Sequence, residues 1–427
     1  MSGTVTAGLA AMREDLADFY RDLHRHPELS LQETRTAALL AQRLRDAGFD
    51  EIAEGVGGTG VVGVLRNGDG PVVMLRADFD ALPVEERTGL PYASTVRAVD
   101  GEGREVPVMH ACGHDMHAVC LSGAAALLAG ARTRWSGTLL VVFQPAEELA
   151  SGARDMVADG LFERFPVPSV VLGQHVGPLP AGFLGYGSGP VMAAADSLNI
   201  TLHGRGGHGS RPEAAVDPVL MAAHVVTRLQ GIVAREVPPA ETAVVTVGRL
   251  QAGTKDNIIP DTAELGVNIR AFTPAVRDLV RAAVERVVEG EARAGGAVSP
   301  PDFTWFASAP ALVSDPDATK RTVAAFAAHF GAQRILPMPQ VNASEDVGVF
   351  GEALGIPTVF WFWGGLETEP TLAAYAQGRI DELPGNHSPY FAPVLEPTLT
   401  TGVEALVVAA LSWLDVNLVG DGAATPQ

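Results

Sequence analysis

Leu139-Leu-Val-Val-Phe-Gln-Pro-Ala-Glu-Glu148 is the stretch on which the fold turns. Its apolar run reads as a buried strand, and the chain passes straight from that strand into two adjacent carboxylates. Similar short runs stand at Gly60–Leu65, Val72–Leu75 and Val170–Leu172, and an Ala-rich segment, His117–Ala131, precedes Leu139. Buried strands alternating with helical segments predict an α/β architecture, a mostly parallel sheet flanked by helices. In such sheets functional groups collect in the crevice beyond the carboxyl ends of the strands. Asp78, Asp80, Glu147, Glu148 and His175 are all expected there.

Working outward, Arg13–Tyr20 and Leu29–Ala47 carry helical spacing, with Ser30 as the expected N-cap and Gly48 as the stop. From Ser197 the pattern changes to strand 198–202, helix 218–233, strands 243–250 and 263–270, helix 276–292 and strand 303–305. This is a βαββαβ insert, predicting an antiparallel, ferredoxin-like sheet with helices on one face. The expected division is therefore residues 1–194 and 307–427 for an interrupted larger domain and 195–306 for the α+β insert. Thr358–Trp363 reads as a further strand, Leu399–Leu414 as a closing helix, and Gly420–Gln427 as a frayed tail.

A chain of 427 residues with 47% apolar content can build two or three domains with sizeable cores. Its 50 acidic and 30 basic residues give a formal charge of −20, a field that repels phosphate backbones and anionic lipid, so nucleic acid and membrane are not expected partners. No basic head precedes an apolar stretch near Met1, and no run approaches the ~18 to 20 apolar residues of a membrane span, so a cytoplasmic location is expected. Cys112 and Cys120 are the only cysteines. On a helix they would stand roughly 12 Å apart, too far for a disulfide, so both are expected to be free.

The candidate metal ligands are Cys112, His114, Glu148, His175 and His387. Cys112-Gly-His114 is a tight loop in which Gly113 lets thiolate and imidazole reach one ion. Taken alone it is also how a buried Cys and a satisfied His look, and a lone His175 or His387 reads equally well as a structural histidine. Together they supply shared ligands for two ions about 3.5 Å apart. Of the adjacent carboxylates, Glu148 is assigned to metal and Glu147 to proton transfer, first as general base and then as general acid. Asp80, in Arg76-Ala-Asp-Phe-Asp-Ala-Leu-Pro83, suits a partner that orients a ligand imidazole, or a simple turn before Pro83. The rival chemistry is a thiol hydrolase with Cys112 as nucleophile and His114 as base. A metal-holding protein without catalysis is a third reading, against which the second carboxylate, Glu147, argues.

Eight segments in order carry a family resemblance: His24-Arg-His-Pro-Glu28, Arg76 to Pro83, His110-Ala-Cys-Gly-His-Asp-Met-His117, Gln144-Pro-Ala-Glu-Glu148, Gly206-Gly-His-Gly-Ser-Arg-Pro212, Asn257-Ile-Ile-Pro260, Ser344-Glu-Asp346 and Asn386-His-Ser-Pro389. The chain resembles the M20 metallopeptidases, in particular the branch that hydrolyses N-acyl-amino acids, hippurate and auxin conjugates. The resemblance implies a catalytic domain interrupted by a lid that often forms a homodimer contact, and two divalent ions, Zn²⁺ or Mn²⁺ with Co²⁺ or Ni²⁺ as alternatives. It implies that His208 stabilises the oxyanion and that Asn257 and Arg270 hold the carboxylate of a small N-acyl-amino acid. A carboxypeptidase or dipeptidase of the same fold is the alternative.

Two departures stand out. Asp78-Phe-Asp80 replaces the His-x-Asp of many M20 peptidases, and with Cys112 and Asp115 both in the next element, either is open as the residue bridging the metals. Ala343-Ser-Glu-Asp-Val-Gly-Val lacks the expected aromatic after the Asp, which leaves the size of the substrate pocket open.

Overall fold

The computed structural model describes residues 2–416, so the tail expected at Gly420–Gln427 lies outside the described residues. The chain forms two compact units, one of Met1–Gly189, Val313–Pro339 and Asp346–Gln427, the other of Pro190–Leu312 and Gln340–Glu345.

In the larger unit the strands follow the order Glu51–Val56, Gly60–Asn67, Trp135–Gln144, Val72–Asp78, Val170–Pro180, Thr358–Leu366, Leu184–Tyr186 and Ile335–Pro337, with Asp415–Val416 added against Trp135–Gln144. The four inner strands run parallel. Antiparallel pairs flank them on either side. Helices cover both faces, as the apolar runs predict. Gln174 donates to the carbonyl of Gly402 in the Leu395–Trp413 helix, whereas a Cβ on neighbouring Gly173 would meet Val347, at the head of the Gly348–Leu354 helix. The His114–Gly130 helix is Ala-rich and buried almost all round, which is why it carries no amphipathic stripe.

Two local expectations are corrected. The helix expected from Leu29 begins only at Thr34, and Ser30 does not cap it. Leu31 sits at φ +65, a conformation that no α-helix can pass through. Leu29 instead bridges Ala81, and the Ser30 hydroxyl donates to Asp80 at 2.6 Å. His175 does not follow its strand but lies inside Val170–Pro180. The strand continues because Phe362 pairs opposite His175, while pairing with Val72–Asp78 stops at Arg76 and Gly173. His175 thus stands where the strand has lost one neighbour and a side chain has room to face a crevice.

The smaller unit is a four-stranded antiparallel sheet in the order Ala243–Ala252, Thr262–Ala271, Ala194–His203, Asp302–Ala309. Leu198, Ile200 and Leu202 alternate inward and share a core with Leu265, Val267 and Ile269 and with the helices Pro218–Arg235 and Pro274–Ala294. Both helices start with Pro at the first position behind a capping side chain, Asp217 or Thr273. No helix among the described residues is long and apolar enough to cross a membrane.

Candidate metal centre

Three local devices in the larger unit deliver the candidate ligands. Gly113, at φ +84, turns the chain into the His114–Gly130 helix, and a Cβ there would fall 2.5 Å from Val176 Cγ1. Only glycine serves at that turn, which places Cys112 Sγ 3.4 Å from His175 Nε2. The second device is the single 3-10 turn Glu147–Leu149, entered through Ala146 in the left-handed region. The third is the loop holding His387: its N–H donates to the Ala111 carbonyl at 2.8 Å, and Asn386 Nδ2 donates to the carbonyls of Cys112 and Val176, each at 3.0 Å.

His114 is the pivot. Its Nδ1 faces two acceptors of Asp80, the carbonyl at 3.0 Å and Oδ1 at 3.1 Å, so Nδ1 carries the proton and Nε2 offers a lone pair. Nε2 lies 3.8 Å from Asp78 Oδ2 and 3.9 Å from both Glu147 Oε2 and Glu148 Oε1. The other oxygen of Glu148 stands 3.4 Å from His387 Nε2. Cys112–His114–His175, Cys112–Glu148–His387 and His114–Glu147–Glu148 each bring their ligand atoms within 4.8 Å of one another. Two of the buried atoms aimed into this space, His114 Nε2 and Glu148 Oε1, have no hydrogen-bond partner. Orphaned acceptors among thiolate, imidazole and carboxylate fit a divalent cation, which satisfies such lone pairs directly.

The electrostatics differ from one candidate ligand to the next. Burial and the neighbouring His117 hold His175 well below the usual imidazole range, in the neutral form a metal requires. Burial and Glu148 push the Cys112 thiol up, away from the thiolate that a nucleophile and a metal ligand both require. Hydrogen bonds to Cys112 and Glu148 raise His387 to about 10, so this imidazole must release a proton when it takes an ion.

Asp78, His114 and His117 form another close group, but both nitrogens of His117 are occupied. Nδ1 bonds Asp78, and Nε2 accepts the N–H of Val176 at 2.9 Å. Asp78 is neutralised by Arg76 at 2.8 Å, and Arg76, fully buried, also reaches Gln144 and Asp346. The group therefore ties the strand ends together around His175. Asp115 lies outside the cluster: its carboxylate meets His24 Nδ1 at 2.7 Å, and His24 Nε2 meets Glu86 at 3.1 Å. Of the two open choices for the bridge, the fold turns Cys112 toward the other donors and Asp115 away.

The three remaining candidates lie in the smaller unit. His208 and Asn257 are exposed neighbours, since Gly209 N–H donates to the Asn257 carbonyl at 2.8 Å. His208 Nδ1 accepts from Ser210, and its Nε2 remains open. Arg270 is half-buried, bonding the neutral groups Asn268 Oδ1 at 2.8 Å and Ser344 Oγ at 3.0 Å. Residue reasoning passed over Arg76, Glu33 and His117. Arg76 had a signal, a lone charge closing the apolar run Val72–Leu75; the other two acquire partners only through tertiary contacts.

An inner parallel sheet whose edge gathers Cys, His and Glu beside a second carboxylate is the arrangement of an amide-bond hydrolase with a metal-binding centre. Residues 74–406 match Peptidase family M20/M25/M40, and the chain belongs to that family. It is 37% identical over 84% of its length to an N-acetylcysteine deacetylase of Bacillus subtilis, covering 90% of that protein. Thermostable carboxypeptidase 1 of Saccharolobus solfataricus is 38% identical over 70% of this chain and 74% of its own. A solved Bacillus subtilis structure described as a dinuclear metal-binding peptidase of the M20 family superposes with a TM-score of 0.74 at 33% identity, covering 95% of this chain and 99% of that one.

Proposed function

We propose that this protein hydrolyses the amide bond of small N-acyl-amino acids, using two divalent metal ions held by Cys112, His114, Glu148, His175 and His387. The observation that carries the reading is the pair of orphaned buried atoms, His114 Nε2 and Glu148 Oε1, beside Glu147. Bound Zn²⁺ or Mn²⁺, with Co²⁺ or Ni²⁺ as substitutes, would supply Lewis acidity and lower the pKa of water. Glu147 is the carboxylate placed to take a proton from the attacking water and pass it to the leaving amine. Asp80 fixes the His114 imidazole, and His208 Nε2 is the donor offered to the oxyanion. Asn257 and Arg270 receive the free carboxylate of the amino acid; Arg270 fits this because the side chains it bonds, Asn268 and Ser344, are neutral.

The names of the deacetylase and of the dinuclear peptidase support this reading, and the carboxypeptidase supports a second, in which the acyl side is itself an amino acid. N-acetyl-amino acids against unblocked dipeptides separate the two. A thiol hydrolase with Cys112 as nucleophile differs from both in needing no metal, so chelation separates it from them. Among the described residues the two outer strands of the smaller unit each leave one edge unpaired, which suits a homodimer through that unit, and two free cysteines suit the cytoplasm.

The test is metal content together with hydrolysis of N-acetyl- and N-benzoyl-amino acids, before and after chelation and after adding back Zn²⁺ or Mn²⁺. Near two ions per chain and metal-restored activity are expected. Activity indifferent to chelator, and abolished by Cys112→Ser at any metal concentration, would return the argument to a thiol nucleophile.

A further inference from the structure

The turn carrying Glu147 and Glu148 is bounded by two alanines in the left-handed region, Ala146 at φ +49 and Ala150 at φ +52. A residue with a Cβ stays there only where its surroundings enforce it. At Ala146 the enforcing group comes from far along the chain: its N–H donates to Glu33 Oε1 at 3.0 Å. The other oxygen of Glu33 accepts the Thr59 hydroxyl at 2.6 Å. Glu33 and Ala146 are both completely buried, and no basic side chain is among the partners of Glu33 given by the structure. Burial accordingly pushes Glu33 up to about 6. A carboxyl kept in so unfavourable a place marks a position that requires an acceptor. On the other side of Glu147, the N–H of Glu148 is held by Asp80 Oδ2 at 3.0 Å, and Ser30 braces the same oxygen. Residues 29–33, which lie just ahead of the Thr34–Asp46 helix, thus supply braces on both sides of Glu147.

We infer that Glu33 is a positioning residue: by accepting the Ala146 N–H it holds the left-handed entry to the turn and so aims the Glu147 carboxylate. The inference rests on Glu147 as the general base, and it concerns alignment, not ligation.

The experiment compares Glu33→Ala, Glu33→Gln and Glu147→Gln, and repeats Glu33→Ala in an Ala146→Gly background, reading kcat, KM and metal content with an N-acetyl-amino acid. Because displacement of a reacting group by about 1 Å costs up to ~100-fold, Glu33→Ala should lower kcat by about 10- to 100-fold while KM stays within about threefold and metal content is unchanged. Glu33→Gln keeps an acceptor for Ala146 and should retain most of kcat. Glycine occupies the left-handed region without strain, so the loss caused by Glu33→Ala should shrink by roughly threefold or more beside Ala146→Gly. Should Glu33→Ala not fold, Glu33→Asp, with its acceptor withdrawn by one methylene, takes its place. The inference is overturned by an unchanged kcat, by metal lost in step with kcat, by a Gln variant as impaired as Ala, or by an equal loss in both backgrounds. An active Glu147→Gln would instead remove the general-base reading itself, so the two failures are distinguishable.

Discussion

Asp80 and His114 are joined through the ring nitrogen that faces away from the candidate ions: Oδ1 of Asp80 accepts from Nδ1 at 3.1 Å. The second oxygen of the same carboxylate accepts the Glu148 N–H at 3.0 Å. One buried side chain therefore sets an imidazole and a carboxylate that arrive from different elements. Burial alone would raise Asp80, yet its bonds to His114, Ser30 and the Glu148 backbone hold it below the usual range. Asp80→Ala should weaken metal binding by about 10- to 100-fold, the usual effect of losing such a partner. Competition with a chromogenic chelator measures it, and undiminished affinity would reduce Asp80 to a turn residue.

Glu147→Gln separates proton transfer from ligation. Metal content should stay at the wild-type level while kcat falls by about 100- to 10,000-fold. Metal analysis beside steady-state kinetics checks this, and activity within a few-fold of wild type would exclude Glu147 as the base.

Arg270→Ala tests carboxylate recognition. Loss of a charge-assisted contact worth about 1.5–3 kcal/mol should raise KM at least about tenfold for substrates with a free α-carboxylate and leave their amides nearly unchanged. Equal impairment on both would assign Arg270 to holding Asn268 and Ser344 in place.

The His24 network predicts a pH dependence of stability. Burial opposes charge on His24, but Asp115 and Glu86, one on each ring nitrogen, outweigh it and raise the group to about 9. A folded value above the unfolded value of about 6.5 means stabilisation that is complete below pH 6.5 and lost as pH rises toward 9. Denaturant unfolding should show a decline of up to about 3 kcal/mol across that window, and His24→Gln should flatten it. Parallel curves for the two proteins would assign the decline to other groups.

Much of the architecture could be read directly. Apolar runs such as Leu139–Phe143 and Thr358–Trp363 are strands because nothing else buries so many consecutive side chains in so short a span. The βαββαβ order of the insert follows from alternation and the helical spacing of 218–233 and 276–292, and the second helix in fact starts two residues earlier, at Pro274. The strand Glu51–Val56 escaped notice because it is half exposed and carries two acidic residues, Glu51 and Glu54. Ser30 had the chemistry of a helix cap, and its use on Asp80 depends on a backbone reversal at Leu31 that no local preference announces.

The sequence by itself determined which donors exist and that they follow one another in family order: a Cys-Gly-His turn, two adjacent carboxylates and two distant histidines. Only the tertiary structure decided that Cys112 and not Asp115 faces the cluster, that Arg76 neutralises Asp78, and that Glu33 reaches Ala146. The reason is physical. Hydrophobic periodicity is a local property of the chain, whereas the pairing of buried polar groups is settled by the three-dimensional requirement that each find a partner away from water.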